Sequence, residues 1–260
     1  MTTITKQFAE QLAEVESTRI GITPLTEVNP ELTIEEAYQI QLQNINRKLE
    51  NGQKIVGKKI GLTSLAMQKM LGVDEPDYGH LLDSMVIENG GTISMSQVLQ
   101  PRVEAEIAFI LDKELRGPHV TTLDVLQATK YVVPALEIVD SRIKDWKIKL
   151  PDTIADNASS GLYVLGGKPT RIEDVNLELI GMAFTKNGQL ANTGVGAAAL
   201  GNPANCVAWL ANKLSQFDIT LRAGEVILSG AVSAMVAAEP GDTFTARFAH
   251  LGQVSVSFEK

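Results

Sequence analysis

One cysteine, three histidines and no long apolar run set the first limits on this chain of 260 residues. A lone Cys206 excludes an intramolecular disulfide and a cysteine-built zinc site. It lies in Pro-Ala-Asn-Cys-Val-Ala-Trp-Leu-Ala-Asn-Lys-Leu, whose helical spacing reads as packing rather than nucleophilic chemistry. His80, His119 and His250 are scattered, lack metal-ligand spacing and read as surface or loop residues. No apolar stretch approaches the roughly 20 residues that a membrane-spanning helix needs. There is no basic stripe, and 23 Lys and Arg against 31 Asp and Glu leave a net charge of −8. Nucleic acid is therefore not an expected partner. A dinucleotide fingerprint, an internal repeat and a low-complexity linker are all missing. Residues 1–16 are polar and carry acids, unlike a secretory or transit leader, so the cytoplasm is the expected location.

What is present is a hydrophobic content of 44%, enough for a sizeable core. The first fifty residues are helical in character. Residues 5–16 are amphipathic, and 21–30 read as a loop. Thr33-Ile-Glu-Glu36 is a capping box, followed by Ile34, Tyr38, Leu42, Ile45 and Leu49 at helical spacing until Gly52. From Lys54 the pattern alternates like a strand. Ser64 can cap a short helix over 65–71, and Pro76-Asp-Tyr-Gly79 is a turn. Beyond Arg102, strands dominate, with helices expected over 121–128 and from Asn202-Pro203. Asn187-Gly188 is a hairpin signal after 182–186. Strands over 225–229, 243–249 and 253–258 close the chain. Irregularly spaced strands with a few helices argue for an α+β fold. The expected division is an N-terminal helical lobe, 1–52, against a mainly antiparallel β-rich domain, 53–260.

Three acids stand where apolar residues would be expected. Arg102-Val-Glu-Ala-Glu-Ile-Ala-Phe-Ile-Leu111 carries Glu104 and Glu106, and Tyr131-Val-Val-Pro-Ala-Leu-Glu-Ile-Val-Asp140 carries Glu137. Strand parity points Glu104 and Glu106 to one side, and both faces of that segment are largely apolar. Buried carboxylates are costly unless a positive charge meets them. Hard oxygen ligands would select Mg²⁺ or Mn²⁺ over zinc. The plainer alternatives are an edge strand with two exposed glutamates, and a salt bridge from Glu137 to Arg142 or Lys144.

Lys59 lies between Gly57 and Gly61 on one strand face, where missing side chains allow close approach. It suits a substrate carboxylate or an enolate, or it is an ordinary surface lysine. Lys58 points the other way and reads as solvated. Asp77 is either a structural turn aspartate or a general acid/base. Asp156-Asn-Ala-Ser-Ser-Gly161 could supply hydrogen bonds to a ligand, with Asn157 and Ser160 as candidate substrate contacts, or simply form a turn. Ile227-Leu-Ser-Gly-Ala231 is small enough to let a ligand approach backbone amides.

Read in order, these segments resemble a known family. The series is Gly57-Lys-Lys-Ile-Gly-Leu-Thr-Ser64, Pro76-Asp-Tyr-Gly79, Arg102-Val-Glu-Ala-Glu-Ile-Ala-Phe109 and Pro134-Ala-Leu-Glu-Ile-Val-Asp-Ser-Arg142. It continues with Asp152-Thr-Ile-Ala-Asp-Asn-Ala-Ser159 and Gly224-Glu-Val-Ile-Leu-Ser-Gly230. Together they resemble the 2-oxopent-4-enoate (2-hydroxypenta-2,4-dienoate) hydratase group of the fumarylacetoacetate hydrolase superfamily, over nearly the whole chain. The resemblance implies a mixed β-roll core and Mg²⁺ or Mn²⁺ on Glu104, Glu106 and Glu137. It also implies an active-site Lys59, proton transfer by Asp77, and a pentameric or decameric homo-oligomer.

The implied reaction adds water to 2-hydroxypenta-2,4-dienoate, giving 4-hydroxy-2-oxopentanoate, in meta-cleavage degradation of aromatic compounds. Related 4-oxalocrotonate (2-oxo-3-hexenedioate) decarboxylases share most of the motifs. That leaves a decarboxylase, or a non-catalytic partner subunit of one, as the alternatives. Arg142-Ile-Lys-Asp-Trp-Lys-Ile-Lys149 resembles the pentenoate hydratase version of that segment, Gly161-Leu-Tyr163 stands where the decarboxylases tend to place a polar and basic pair, and the chain lacks the insertion before Asp152 associated with heptenedioate hydratases.

Overall fold

Helices lead the chain, as their periodicity predicts. The computed structural model describes residues 3–65, 68–69 and 73–260. Helix α1, Thr3–Thr18, buries Phe8, Leu12 and Val15 along one stripe. A four-residue helix, α2 (Leu25–Val28), interrupts the expected loop. Helix α3, Ile34–Glu50, starts at the capping box: Glu36 N–H donates to Thr33 Oγ1 at 3.1 Å, and Thr33 N–H to Glu36 Oε2 at 3.2 Å. Such a cap contributes about 1 kcal/mol. The short helix expected over 65–71 falls largely outside the described residues; Leu65, Gln68 and Lys69 are helical.

The strands form two sheets. The larger runs in the order β2 (Asp77–Leu82), β1 (Ile55–Gly61), β10 (Val226–Ala231), β5 (Arg102–Leu111), β6 (Thr129–Val139), β7 (Ser160–Leu165), β3 (Val86–Ile87). β11 (Val236–Ala237) adds to β5. The smaller runs β4 (Thr92–Ile93), β13 (Gly252–Phe258), β12 (Thr243–Phe248), β8 (Gly181–Lys186), β9 (Gln189–Val195). The Asn187-Gly188 turn joins β8 to β9 as expected. Only the β1–β10, β3–β7 and β4–β13 pairs are parallel among the described residues. β5 is a central strand, flanked by β10 and β6, so its glutamates do not lie on a sheet edge.

β2 and β7, far apart in strand order, touch each other, so the larger sheet curls into a roll. Its convex face carries Val103, Ile107, Phe109 and Leu136, which join Phe184, Phe244 and Val254 of the smaller sheet in the main core. Its concave face carries Leu81, Ala108, Val133, Ala135, Tyr163 and Leu228, a second and smaller apolar cluster. Phe8, Leu12 and Tyr38 belong to the main core. Helices thus give way to strands near residue 52, while the core runs on across that point. Cys206 is fully buried in helix Pro203–Leu214, the packing role expected of it.

Candidate active site

The concave face becomes polar at one end of the roll, because residue parity brings five ionisable side chains onto it. Glu104 and Glu137 are cross-strand partners of β5 and β6, and Glu106 follows Glu104 on the same face. Lys59 sits beside Leu228 of β10 and Gly79 of β2, while Asp77 faces Gly61. Oxygens of Glu104, Glu106 and Glu137 all lie within 4.8 Å of one another. Glu106 and Glu137 are fully buried, and Glu104 is partly exposed.

Lys59 is the positive member of this nest. Its Nζ lies 3.4 Å from Glu137 Oε2 and 4.0 Å from Asp77 Oδ1, and donates to the Ala158 carbonyl at 2.9 Å. The flanking glycines have a steric reason. A Cβ on Gly61 would come within 2.3 Å of Asp77 Oδ1 and 3.1 Å of Lys59 Nζ, and one on Gly57 within 2.0 Å of the Val226 carbonyl. Further donors fix the acids. Ser160 Oγ donates to Glu137 Oε1 at 3.0 Å, Gly230 N–H to Glu106 Oε2 at 2.8 Å, and Thr153 Oγ1 to Asp77 Oδ2. Gly230 has φ +95° at an irregularity of β10, and its amide is engaged by the Glu106 carboxyl.

Four carboxyl groups surround one ammonium, and burial opposes the charges of the three glutamates and of the lysine. Burial, then the neighbouring Glu137, pushes Glu104 up to about 7. Glu106 is raised well above its ordinary value by burial, Glu137 and Glu104. Burial also raises Glu137, although Lys59 opposes the shift. Burial works against the Lys59 ammonium too, but Glu137, Asp77, Glu104 and Glu106 outweigh it, so Lys59 is held above its ordinary value and stays charged.

Asp77 Oδ1, Glu106 Oε1 and Glu137 Oε2 are buried without a hydrogen-bond partner. Three glutamate carboxyls whose oxygens approach within 4.8 Å of one another, two of them with an oxygen that lacks a hydrogen-bond partner, fit a divalent cation with hard oxygen ligands. A stability prediction follows from the raised acids. The folded, metal-free protein keeps protons that the unfolded chain, at 4.5 per glutamate, has released. The stability Glu104 supplies is therefore full below 4.5 and lost as pH rises through about 7, and the raised Glu106 and Glu137 act in the same direction. His80 acts oppositely below its ordinary 6.5, because burial, then Lys58, holds it neutral down to about 3. Between about pH 6.5 and 8 the metal-free protein should lose melting temperature, and saturating Mn²⁺ should restore it, as differential scanning calorimetry will read. A flat profile would contradict the charge assignment.

Three expectations are corrected. Asp77, Tyr78 and Gly79, expected in a turn, open strand β2 and pair with β1. Lys58 is not solvated: it is buried and paired with Glu225 at 2.7 Å on the convex side. His80 is not a surface residue either. It lies buried in β2, with Nδ1 2.9 Å from Gln41 Oε1 of α3. His119 and His250 are exposed. Glu137 pairs with Lys59 rather than Arg142; the Arg142 guanidinium instead engages Asp156. Asn157 reaches the site's turn, but its amide accepts from His80 N–H at 2.8 Å and donates to the His80 carbonyl at 2.9 Å, bracing β2. Thr153 was not singled out from sequence, although it stands inside the Asp152-Thr-Ile-Ala-Asp-Asn motif.

Comparison with known proteins agrees with this architecture. The family model described as fumarylacetoacetate (FAA) hydrolase C-terminal matches residues 56–258. The chain is 48% identical to a 2-keto-4-pentenoate hydratase of Paraburkholderia xenovorans (strain LB400), over 98% of this chain and 94% of that one. It is 51% identical to a 2-hydroxypent-2,4-dienoate hydratase of Pseudomonas putida, over 84% of this chain and 98% of the relative. Among solved structures, 4-oxalocrotonate decarboxylase from Pseudomonas putida G7, complexed with magnesium and adipate, superposes with a TM-score of 0.95 at 38% identity. That match covers 98% of this chain and 97% of the other. With strand order, carboxylate nest and near-full-length similarity in agreement, the chain belongs to the fumarylacetoacetate hydrolase family, in its 2-keto-4-pentenoate hydratase group.

Proposed function

We propose that the protein is a hydro-lyase that adds water to 2-hydroxypenta-2,4-dienoate (2-oxopent-4-enoate), giving 4-hydroxy-2-oxopentanoate in meta-cleavage degradation of aromatic compounds. The observation that carries this reading is the 48% identity to a hydratase across 98% of the chain. The buried nest supports it by supplying the chemistry. Glu104, Glu106 and Glu137 would hold Mg²⁺ or Mn²⁺. A bound divalent cation supplies Lewis acidity toward the carboxylate and 2-oxygen of a 2-oxo acid.

The chain's own groups do the remaining work. The Lys59 ammonium stays protonated, so it acts as a donor to an enolate oxygen and not as a base. Asp77 has one oxygen held by Thr153 and the other without a hydrogen-bond partner, 4.0 Å from the Lys59 ammonium, which suits a group that takes and returns a proton. The reaction moves a proton from the 2-hydroxyl to C5, and water then gives its hydroxyl to C4 and its remaining proton to C3. Asp77 is proposed for the first transfer or for activation of the water. Ser160 orients Glu137, and Asn157 steadies the turn beside it.

The superposition on a decarboxylase keeps 2-oxo-3-hexenedioate decarboxylation as the second reading, since loss of CO₂ also needs an electron sink. A non-catalytic partner of a 4-oxalocrotonate decarboxylase would have no use for the complete nest. We also propose a homo-oligomer, pentameric or decameric, in the cytoplasm. Exposed Leu190 and Val195 on the edge strand β9 support the oligomer, and no helix among the described residues is long and apolar enough to cross a membrane.

The test supplies Mg²⁺ and offers each substrate separately. Loss of the diene absorbance of 2-hydroxypentadienoate, without CO₂, is the expected result. CO₂ released from 2-oxo-3-hexenedioate, with the pentadienoate untouched, would transfer the assignment to the decarboxylase.

A further inference from the structure

Asn157, Ala158 and Ser159 hold φ values of 53°, 51° and 52°. None is glycine, and each brings its Cβ toward the following carbonyl oxygen, so three in succession need support from outside the turn. That support comes from one buried ion pair. Arg142 Nε donates to Asp156 Oδ1 and Nη2 to the Asp156 carbonyl, while Nη1 donates to the carbonyls of Ser160 and Asp140 at 2.9 and 2.7 Å. The guanidinium therefore grips the residue before the turn and the residue after it. Asp156 Oδ2 accepts from the Arg142 backbone N–H at 2.9 Å and from Ser141 and Ser159 hydroxyls at 3.2 and 3.3 Å.

The turn delivers three contacts to the site. The Ala158 carbonyl takes a hydrogen of Lys59, the Ser160 hydroxyl caps Glu137, and the Asn157 amide ties down β2 three residues beyond Asp77. Gly79 permits the last contact, since a Cβ there would meet the Asn157 carbonyl at 2.5 Å. Arg142 and Asp156, with Asn157 and Ser160, line a cavity of about 540 Å³ beside α1 and α3 whose lining includes none of Lys59, Asp77, Glu104, Glu106 and Glu137.

We propose that the Arg142–Asp156 pair is a positioning device for the reaction. It holds the left-handed turn, and through the Ala158 carbonyl and the Ser160 hydroxyl it sets where the Lys59 ammonium and the Glu137 carboxylate stand. The proposal rests on the hydratase reading for its kinetic test but not for its structural one.

Asp156→Asn keeps shape and removes the charge; Arg142→Lys keeps charge and removes the fork. Both should lower kcat by about 10- to 100-fold with KM changed by less than about threefold, because a displaced catalytic group costs rate more than binding. Mn²⁺ affinity, measured by calorimetry, should stay within about threefold, since the three glutamates remain. Glycine accepts left-handed backbone freely, so Ala158→Gly should recover about tenfold of kcat and part of the lost melting temperature in the Asp156→Asn background. Wild-type kcat in both variants, or no recovery on adding Ala158→Gly, overturns the proposal. Failure of the unsubstituted protein to consume the dienoate removes the hydratase reading alone. Melting-temperature recovery by Ala158→Gly then still decides whether the pair holds the turn.

Discussion

Glu106→Gln should lower turnover by about a thousandfold or more and cut Mn²⁺ affinity by at least about 10- to 100-fold, while making the metal-free protein more stable at pH 8. The opposite signs come from one cause. Glu106 is fully buried, its carboxyl is raised well above the ordinary value, and Oε1 has no partner. Its charge is useful only to a cation. Glutamine keeps a carbonyl oxygen for the Gly230 amide that Glu106 Oε2 now accepts. It also removes the repulsion from Glu137 and Glu104. Titration calorimetry with Mn²⁺, steady-state turnover and a melting curve in EDTA read the three effects. Retained turnover in the variant, or wild-type turnover surviving EDTA, would show that the nest does not work through a metal.

Lys59→Met should also lower kcat, by about 10²- to 10³-fold, the usual effect of losing one preorganised donor to a developing oxyanion. Its effect on stability should run the other way. The ammonium is the only basic side chain within 4.0 Å of Glu137 and Asp77 among the described residues. Removing one partner of a buried ion pair costs about 3–5 kcal/mol. The metal-free variant should melt well below the unsubstituted protein at pH 8, and Mn²⁺ should recover much of the difference. Metal affinity should hold or rise, because a competing positive charge is gone. A variant with normal kcat, or one that loses Mn²⁺ binding, would remove Lys59 from its proposed role. The two substitutions thus separate the proposed cation ligands from the proposed donor, although each is expected to abolish most activity.

Much of this site was legible because parity is local. Glu104 and Glu106 share a face by spacing alone, and Gly57 and Gly61 marked the face of Lys59. Capping at Thr33 and Asn202 is equally local, and both caps form. What the chain could not disclose was pairing over distance. Glu104 meets Glu137 through the β5–β6 register, and Lys58 meets Glu225 from 167 residues away. Lys58 was misread for that reason: on a strand buried on both faces, pointing away from the site does not mean pointing into water. His80 failed similarly, because its partner Gln41 lies on α3. The Arg142–Asp156 grip was hidden since nothing in Asn-Ala-Ser announces left-handed backbone without glycine.

The adjacent lysines of β1 have a consequence for how the strand finds its partners. Each answers a different buried acid on a different face, Lys58 to Glu225 and Lys59 to Glu137. Suppose β1 slid by one residue, which exchanges its faces. In one direction Lys58 would enter the nest, Glu225 would face Gly57, and Val56 and Ile60 would fall where Val226 and Asp77 leave room only for glycine. In the other direction Ile60 would sit among the carboxylates. Either slip strands an acid in the interior. The Gly-Lys-Lys-Ile-Gly run therefore acts as a reading frame, which only one alignment of the strand satisfies.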